Sequence, residues 1–262
     1  MKVFLAYVKV SFLNNSAYRV ECLLGILNTC LQIFISCAIW RVLYADQSNI
    51  NGISFPMIAT NFIIALGLFN AFTINDFAVQ SKIWDGTITS EFLKPIEYRV
   101  AIFATNLGDI LFKLLTNFLP ALLLSIIFIG ILPPVSTINL LLFFMSIVLG
   151  FLILWFISAI IQVSAFWIIN VWSVSTIKNV IVSVFSGMLL PLWFMPESIR
   201  NILQFTPFDS IYFIPIDIYL GQINIANVWS YFLRQLIWIV VLYFIGKAMW
   251  ELGKKRLIVQ GG

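Results

Sequence analysis

No charged residue occurs between Leu114 and Ile177, a stretch several times longer than the ~20 apolar residues that one crossing of a bilayer requires. The whole chain shares this character, with 61% hydrophobic residues and 10% charged residues. Typical soluble domains carry about 25% charged residues, and their cores cannot bury apolar surface on this scale. The composition therefore predicts an all-α integral membrane protein.

Six hydrophobic segments fit within the 262 residues if their connections are modest. The predicted spans are Cys22 to Tyr44, Phe55 to Asn75, a third that ends at Leu132 before Pro133 and Pro134, Asn139 to Ile161, Lys178 to Leu192, and Val228 to Trp250. The third begins with Asp109 and Lys113 at i,i+4 spacing, where the two charges can neutralise each other. We predict one membrane domain, residues 1–262, without a second soluble domain.

The distribution of basic residues predicts the orientation of these spans. In the six-span arrangement one side carries Lys2, Lys9, Arg19, Lys82, Lys94, Arg99, Lys178, Lys247 and the cluster Lys254, Lys255 and Arg256. The opposite loops, residues 45–54 and 133–137, contain no Lys or Arg. Positive loops stay in the cytoplasm, so we expect both termini there, in a multi-pass protein of a bacterial cytoplasmic membrane. The N-terminal residues show no signal-peptide pattern.

Cysteine and histidine usage narrows the chemistry. Cys22, Cys30 and Cys37 all fall in the first predicted span, where thiols act as small packing residues, and their odd number indicates no disulfide framework. The chain contains no histidine, which excludes histidine metal ligands, general bases and proton relays. The net charge of +4 follows from membrane orientation and gives no indication of nucleic acid binding.

The segment from Asp76 to Arg99 carries seven charged side chains. It includes Trp84-Asp85-Gly86-Thr87-Ile88 and Phe92-Leu93-Lys94-Pro95, so apolar residues alternate with charges. We call residues 76–99 the charged element, and the alternation indicates a surface against which a partner docks. An ordinary amphipathic connection is the alternative, with Gly86 capping one helix and Pro95 ending another.

A second unusual segment lies between the fifth and sixth spans, at residues 190–227. It is too rich in proline to span a membrane and too apolar for a free loop. Its prolines are Pro191, Pro196, Pro207 and Pro215. We expect short helices that dip into the outer leaflet and return, which would make this outer segment either a gate or a packed lid without substrate contact.

These motifs, in this order on a six-span frame, resemble the permease subunit of a type-2 ABC exporter. The resemblance also includes Ser186-Gly187-Met188-Leu189-Leu190-Pro191-Leu192-Trp193-Phe194-Met195-Pro196-Glu197, Pro207-Phe208, Tyr212-Phe213-Ile214-Pro215 and the tail Gln260-Gly261-Gly262. It implies a coupling helix that docks on an ATPase, formed by Trp84, Asp85, Gly86, Thr87, Ile88, Phe92, Leu93, Lys94 and Pro95. It also implies an outer re-entrant gate formed by Gly187, Pro191, Trp193, Phe194, Pro196, Pro207 and Phe208.

The resemblance implies several partners. They are two ABC ATPase subunits that hold ATP and Mg, a second copy of the chain or a related permease, membrane lipid, and a hydrophobic or amphipathic substrate that moves outward. The chain itself is expected to be non-catalytic, with no cofactor, catalytic or metal site. It has no Gly-x-x-x-x-Gly-Lys-Ser/Thr phosphate loop, so nucleotide hydrolysis would belong to another polypeptide.

Two other functions compete with this reading. An ion-coupled secondary transporter would show paired acids in mid-membrane and inverted repeats, whereas the deep spans hold almost no acids. An integral membrane enzyme would need converging nucleophiles and bases, and the absence of histidine weakens that alternative.

The first predicted span carries small and polar residues. Cys22, Gly25, Thr29 and Ser36 form a small-residue face, which fits either a subunit interface or packing within the same chain. The amides Asn28, Gln32, Asn61 and Asn70 either line a conduit or form hydrogen bonds between helices, and we favour hydrogen bonds.

Overall fold

The computed structural model describes residues 2–17, 19–45 and 47–260, with side chains described as far as Arg256. Gly261 and Gly262, part of the tail used in the resemblance, lie outside the described residues. The first half contains α1 (Lys2–Asn15), α2 (Arg19–Leu43), a hairpin of β1 (Asn49–Ile50) and β2 (Ile53–Ser54), α3 (Phe55–Ala71), α4 (Ala78–Trp84), α5 (Ile88–Phe92), α6 (Tyr98–Lys113), a π-helical turn (Leu114–Phe118) and α7 (Leu119–Phe128). The second half contains α8 (Thr137–Ser164), α9 (Trp172–Phe185), a 3-10 turn (Leu192–Phe194), α10 (Glu197–Leu203), α11 (Phe213–Tyr219) and α12 (Ile225–Gln260).

Four helical stretches of the described chain are long and apolar enough to cross a membrane. They are Arg19–Leu43, Tyr98–Phe128, Thr137–Ser164 and Ile225–Arg256. The apolar helices α3 and α9 have 17 and 14 residues, respectively. At 1.5 Å per residue they measure about 26 and 21 Å, less than the ~30 Å hydrocarbon thickness. The structure confirms a helical membrane protein, and the count of six spans stays a prediction.

Three predicted helix ends are wrong, and a glycine explains the two C-terminal errors. The third span ends at Phe128 rather than Leu132, because Gly130 has φ +88° and its N–H bonds to the Ser125 carbonyl at 3.1 Å. The fifth helix covers Trp172–Phe185 rather than Lys178 to Leu192, and its C-terminal end comes early because Gly187 turns the chain with φ +78°. Glycine adopts this left-handed conformation at little cost, so it stops both helices before the prolines do.

A π-helical turn interrupts the third span directly before Pro120. Pro120 has no N–H to donate, and the N–H of Leu119 reaches back five residues to the Leu114 carbonyl. The turn includes Asn117, whose side chain lies so close to Gly25 that a Cβ there would be 2.6 Å from Nδ2. Gly25 therefore permits close packing of α2 against the third span of the same chain.

Helix α1 was not predicted, and it packs along α6. The rings of Phe12 and Phe112 lie 5.4 Å apart, and a Cβ on Gly108 would be 2.4 Å from the Val8 carbonyl oxygen. Asp109 accepts hydrogen bonds from α1, from the Ser11 hydroxyl and from Asn15 Nδ2 at 2.6 Å. These two side chains, rather than Lys113, are its hydrogen-bond partners.

Helix α8 lies at the centre of the core and contacts α11, α12 and the charged element. A Cβ on Gly150 would be 2.5 Å from the Ile211 carbonyl oxygen, so α8 and the outer segment are in direct backbone contact. Gln235 of α12 bonds to the carbonyls of Ser146 at 3.1 Å and Ser210 at 2.9 Å. The buried amide therefore links α12, α8 and the outer segment.

Candidate functional site

The charged element folds into two short helices, α4 and α5, joined at Gly86. Gly86 has φ +67°, and its N–H bonds to the Ile83 carbonyl at 3.1 Å while the Thr87 N–H bonds to the Lys82 carbonyl at 3.0 Å. This pair of bonds is the Schellman ending of a helix. Gly86 therefore terminates α4, and the turn it makes determines how α5 is presented.

The most exposed apolar side chains of the charged element are Trp84 and Leu93, with 63% and 88% of their surface accessible. Asp85, Thr87, Phe92, Lys94 and Pro95 are also exposed. Ile88 is different, because only 4% of it is accessible and it belongs to an apolar cluster with Val79 and Tyr98. An apolar docking face on this element therefore contains Trp84 and Leu93 but not Ile88.

The loop between α8 and α9 adds an exposed apolar group that the sequence reading missed. Ile169 is 86% exposed, and Trp167 and Ile168 are each 39% exposed. A cleft of about 280 Å³ separates this loop from Trp84. We define the docking surface as Trp84, Leu93, Trp167, Ile168 and Ile169. The sequence gives no sign of the loop's role, because its residues are uncharged and look like the adjoining spans.

A buried ion pair holds the charged element to the membrane helices. Lys178 Nζ of α9 lies 2.6 Å from Asp76 Oδ2 and 3.0 Å from Ser158 Oγ of α8, and Ser175 Oγ donates to the same Asp76 oxygen at 2.5 Å. The side chains of Asp76 and Lys178 are 3% and 8% exposed. Asp76 Oδ1 is also buried and has no hydrogen-bond partner in the part of the chain that the structure describes.

Two amide side chains strengthen the same attachment. Gln80 Oε1 of α4 accepts a hydrogen bond from the Val171 N–H at 2.7 Å, and Gln162 Nε2 of α8 donates to the Asn75 carbonyl at 2.9 Å. Gln80 and Gln162 are both buried. The charged element is therefore bonded to α9 and to the loop between α8 and α9, and Asn75 directly before it is bonded to α8.

The end of α12 packs into the other side of the charged element. Trp250 is almost fully buried, and its ring centroid lies 5.5 Å from that of Phe166, 5.9 Å from Phe92 and 6.1 Å from Tyr98. Aromatic rings at these separations attract each other beyond their burial of apolar area. A displacement of α4 or α5 would therefore act on α6, α8, α9 and α12 together.

Glu91 of α5 forms two ion pairs, one with Lys82 of α4 and one with Lys94 just after α5. Its carboxylate lies 2.6 Å from Lys94 Nζ and 3.1 Å from Lys82 Nζ. Burial raises the pKa of Glu91, but hydrogen bonds and charges from Lys94 and Lys82 outweigh it and place the pKa below its ordinary value. Lys94 therefore has a partner within its own chain.

The Glu91 ion pairs predict a pH dependence of the charged element. Because the folded pKa lies below the unfolded value, the pairs stabilise the element at neutral pH. That stabilisation is lost as the pH falls below the pKa of Glu91 in the unfolded chain, about 4.3, and through its lower pKa in the folded chain. We expect amide exchange at residues 82–94, corrected for intrinsic rates, to accelerate over this acidic range. In the Glu91→Gln variant the same amides should exchange rapidly already at pH 7 and change little at lower pH. An equal pH dependence of exchange in the wild type and the variant would contradict the role of the Glu91 ion pairs.

The outer segment forms a packed cap of short helices. Pro191 precedes the 3-10 turn and Pro196 precedes α10, while Pro207 and Phe208 lie in the turn before α11. Gly187, Pro191 and Pro207 are buried, Trp193, Phe194 and Phe208 are partly buried, and Pro196 is exposed. The Gly187 carbonyl accepts a hydrogen bond from Asn61 Nδ2 of α3 at 3.3 Å.

Aromatic contacts hold the outer segment to α2 and join two parts of the segment itself, so acidic substitutions there should damage folding. The ring of Phe194 lies 4.6 Å from Trp40, and the ring of Trp193 lies 5.3 Å from Phe213. We expect Trp193→Asp with Phe194→Asp to reduce membrane insertion or transport strongly, because it buries two unpaired charges. Leu189→Asp, at an exposed position directly before this segment, is the control. Normal expression and transport of the double variant would contradict this packing role.

The small-residue face of α2 packs in part within the chain. Gly25 abuts Asn117, Thr29 is buried and donates to the Gly25 carbonyl at 2.9 Å, and Cys22 and Ser36 are half-buried. The two faces of α2 differ, since Leu23, Leu27, Leu31 and Phe34 are exposed. Gly25 therefore packs within the chain, and a subunit interface along the rest of this face stays a prediction.

The amide side chains of α2 and α3 form the expected hydrogen bond between helices. Asn70 Nδ2 of α3 donates to Gln32 Oε1 of α2 at 2.9 Å. Gln32 in turn donates to Asn28 Oδ1 at 3.4 Å. The Asn70–Gln32 bond confirms interhelical bonding for these two side chains, whereas the bond between Gln32 and Asn28 lies within α2.

Comparison with known families agrees with this architecture. The family model described as ABC-2 family transporter protein matches residues 30–261, which include the charged element, the α8–α9 loop and the outer segment. Comparison with curated proteins finds no match. Because the family match covers most of the sequence, the chain belongs to the ABC-2 transporter family and is a membrane permease component of an ABC transporter.

Proposed function

We propose that the chain is the transmembrane subunit of an ATP-driven exporter. Two permease chains, identical or related, would pair with two separate ATPase subunits and move a hydrophobic or amphipathic substrate outward. The observation that carries this proposal is the docking surface, an apolar group among charged residues that is bonded to the membrane helices through Asp76 and Lys178. Such a surface can both bind a partner and transmit its motion.

The transmission route follows from the contacts of the charged element. Closure of the ATPases would push α4 and α5, and the Asp76–Lys178 pair would pass the displacement to α9. The aromatic cluster around Trp250 would pass it to α12 and α6. Two permease halves that rock in this way would expose a central cleft to each side of the membrane in turn.

Bond chemistry in this proposal belongs to the partner, where ATP and Mg would bind. In the described part of the chain, no group of three or more Cys, Asp or Glu residues could hold a metal ion. The chain would instead supply a passage for its hydrophobic or amphipathic cargo.

An assay in inverted membrane vesicles tests the proposal against an ion-coupled transporter. With the charged element facing outward, added ATP should drive a lipophilic fluorescent dye into vesicles that contain the chain and its ATPases. A protonophore should leave the uptake unchanged, because nucleotide hydrolysis supplies the energy. Dye uptake that does not depend on ATP and is abolished by the protonophore would favour ion coupling instead.

The proposed orientation has its own test. Gln260→Cys, in a background without the native cysteines, should react with a membrane-impermeant maleimide only after permeabilisation. The basic residues Lys254, Lys255 and Arg256 would retain this end in the cytoplasm. Labelling in intact cells would overturn the orientation.

A further inference from the structure

An apolar groove lies between α6, α8 and α12 near the charged element. Its volume is about 290 Å³, and its walls include Phe103, Leu152, Trp155 and Phe156. At its inner wall the rings of Phe103 and Trp155 lie 4.7 Å apart, with the packed core behind them. The groove is therefore open at the helix surface and is backed by packed core residues on this side.

Gly246 of α12 leaves this groove open. A Cβ at this position would meet only Ile160 Cγ1, at an ordinary contact distance of 3.7 Å. Gly253 of the same helix is different, because a Cβ there would lie 2.1 Å from the Phe166 ring. Close helix packing accounts for Gly253, whereas at Gly246 the missing side chain adds free volume to the groove.

The end of the groove nearest the charged element is polar and basic. Arg99 lies at this rim, with its guanidinium 5.7 Å from the centroid of the Trp250 ring and its Nε 2.8 Å from Glu97 Oε1. An adjoining cavity, also lined by Glu97 and Trp250, extends to Lys94 and Lys254.

The charges at this rim favour an anionic ligand. Lys254 pairs with Glu251 at 2.9 Å, and Lys247 of α12 is exposed about two turns before Lys254. The basic groups Arg99, Lys247 and Lys254 outnumber Glu97 and Glu251. Every basic group at the rim can still donate hydrogen bonds, since guanidinium and ammonium groups have several donors.

We propose that this groove binds an anionic glycerophospholipid from the leaflet on the side of the charged element. One acyl chain would occupy the apolar groove beside Gly246, and the phosphate would lie at Arg99 and Lys254. An acyl chain fits the apolar walls, and the basic rim fits the phosphate. The proposal requires only a membrane-embedded chain, so it is independent of the direction and energy source of transport.

Lipid in this position would stabilise the attachment of α12 to the charged element. Trp250 forms part of both the groove wall and the aromatic cluster that holds Phe92 and Tyr98. We expect a higher melting temperature in phosphatidylglycerol than in phosphatidylcholine. The difference should disappear when the groove is filled.

Native mass spectrometry of the delipidated full-length chain tests the site. With either phosphatidylglycerol or phosphatidylcholine added, the wild type should retain one lipid per chain. Phosphatidylglycerol should bind more tightly than phosphatidylcholine, by a factor of roughly five for each basic residue that contacts the headgroup. Gly246→Leu should abolish this retention by filling the groove. Ala248→Leu, which adds similar bulk at an exposed position two residues away, should leave it unchanged. Arg99→Gln should lower the preference.

Two outcomes would overturn the proposal: equal retention of phosphatidylglycerol by wild type and Gly246→Leu, or equal binding of the two lipids by the wild type. If Gly246→Leu fails to fold, lipids brominated on the acyl chains give a second test without any substitution. Brominated phosphatidylglycerol should quench tryptophan emission more than brominated phosphatidylcholine, because Trp155 and Trp250 line the groove. Equal quenching would likewise overturn the proposal.

Discussion

Replacing Lys178 with Met is expected to destabilise the protein by about 3 to 5 kcal/mol, because the substitution leaves the Asp76 carboxylate buried without its counter-charge. Asp76 is 3% exposed, and its Oδ1 already lacks a partner within the described residues. The change in stability is measured by thermal unfolding in detergent, with the amount of chain that remains in solution as the readout.

Matched variants separate the ion pair from a general effect of substitution. Asp76→Asn with Lys178→Met removes both charges and should recover much of the lost stability, since the penalty arises from one unpaired buried charge. Glu251→Gln breaks the exposed pair with Lys254 and should have little effect. If Lys178→Met were as stable as Glu251→Gln, the buried pair would not hold the charged element in place.

The neutral double variant also tests the transmission route. It should insert normally and bind its ATPases, because the docking surface is unchanged. Transport should nevertheless fall relative to ATP hydrolysis, because a charge-assisted contact between the charged element and α9 has been removed. Full coupling in a well-folded double variant would show that another contact carries the motion.

The second large effect is expected from Trp84→Ala combined with Leu93→Ala. These two side chains are the most exposed apolar groups of the charged element, so their truncation should spare the fold. At an interface, truncation of such anchors costs about 2 kcal/mol or more, a factor of roughly 30 in affinity. Titration of the purified chain with its ATPase, monitored by stimulation of ATP hydrolysis, measures the loss.

Controls for this prediction use exposed and buried residues elsewhere. Leu189→Ala with Phe205→Ala truncates two exposed apolar side chains, one directly before the outer segment and one within it, and should leave ATPase binding unchanged. Ile88→Ala should act differently from Trp84→Ala, because it opens a cavity in the cluster around Trp250 and lowers stability. Asp85→Lys, which reverses an exposed charge beside Trp84, should weaken assembly further. Unchanged stimulation in the double variant would exclude this docking surface.

Hydropathy predicted much of the fold because a helix that crosses lipid must be a long, mainly apolar stretch. The spans at α2, α8 and α12 lie close to their predicted positions, since each is a long apolar stretch. The ends of α7 and α9 were misplaced because Gly130 and Gly187 adopt left-handed conformations that tertiary context selects. Helix α1 escaped prediction because its polar residues bond to α6, over ninety residues away in sequence.

The candidate site was predictable only where its signal is local. The charges of residues 76–99 marked the element, and Gly86 indicated the turn between α4 and α5. The partnership of Asp76 with Lys178 joins positions 102 residues apart, which no local pattern reveals. Ile88 was assigned to the docking face from its place in the motif, but the inward direction of its side chain depends on Val79 and Tyr98.

Purification of the chain from its native membrane, with identification of every associated polypeptide, shows directly whether the docking surface binds an ATPase. We expect an ATPase with a phosphate loop to co-purify in equal amount with the wild type and with the Leu189→Ala and Phe205→Ala control. The same ATPase should be lost from the Trp84→Ala and Leu93→Ala variant, although that variant inserts normally. Recovery of a well-folded wild-type chain with no ATPase, or of the docking variant with a full complement, would contradict this role of the docking surface.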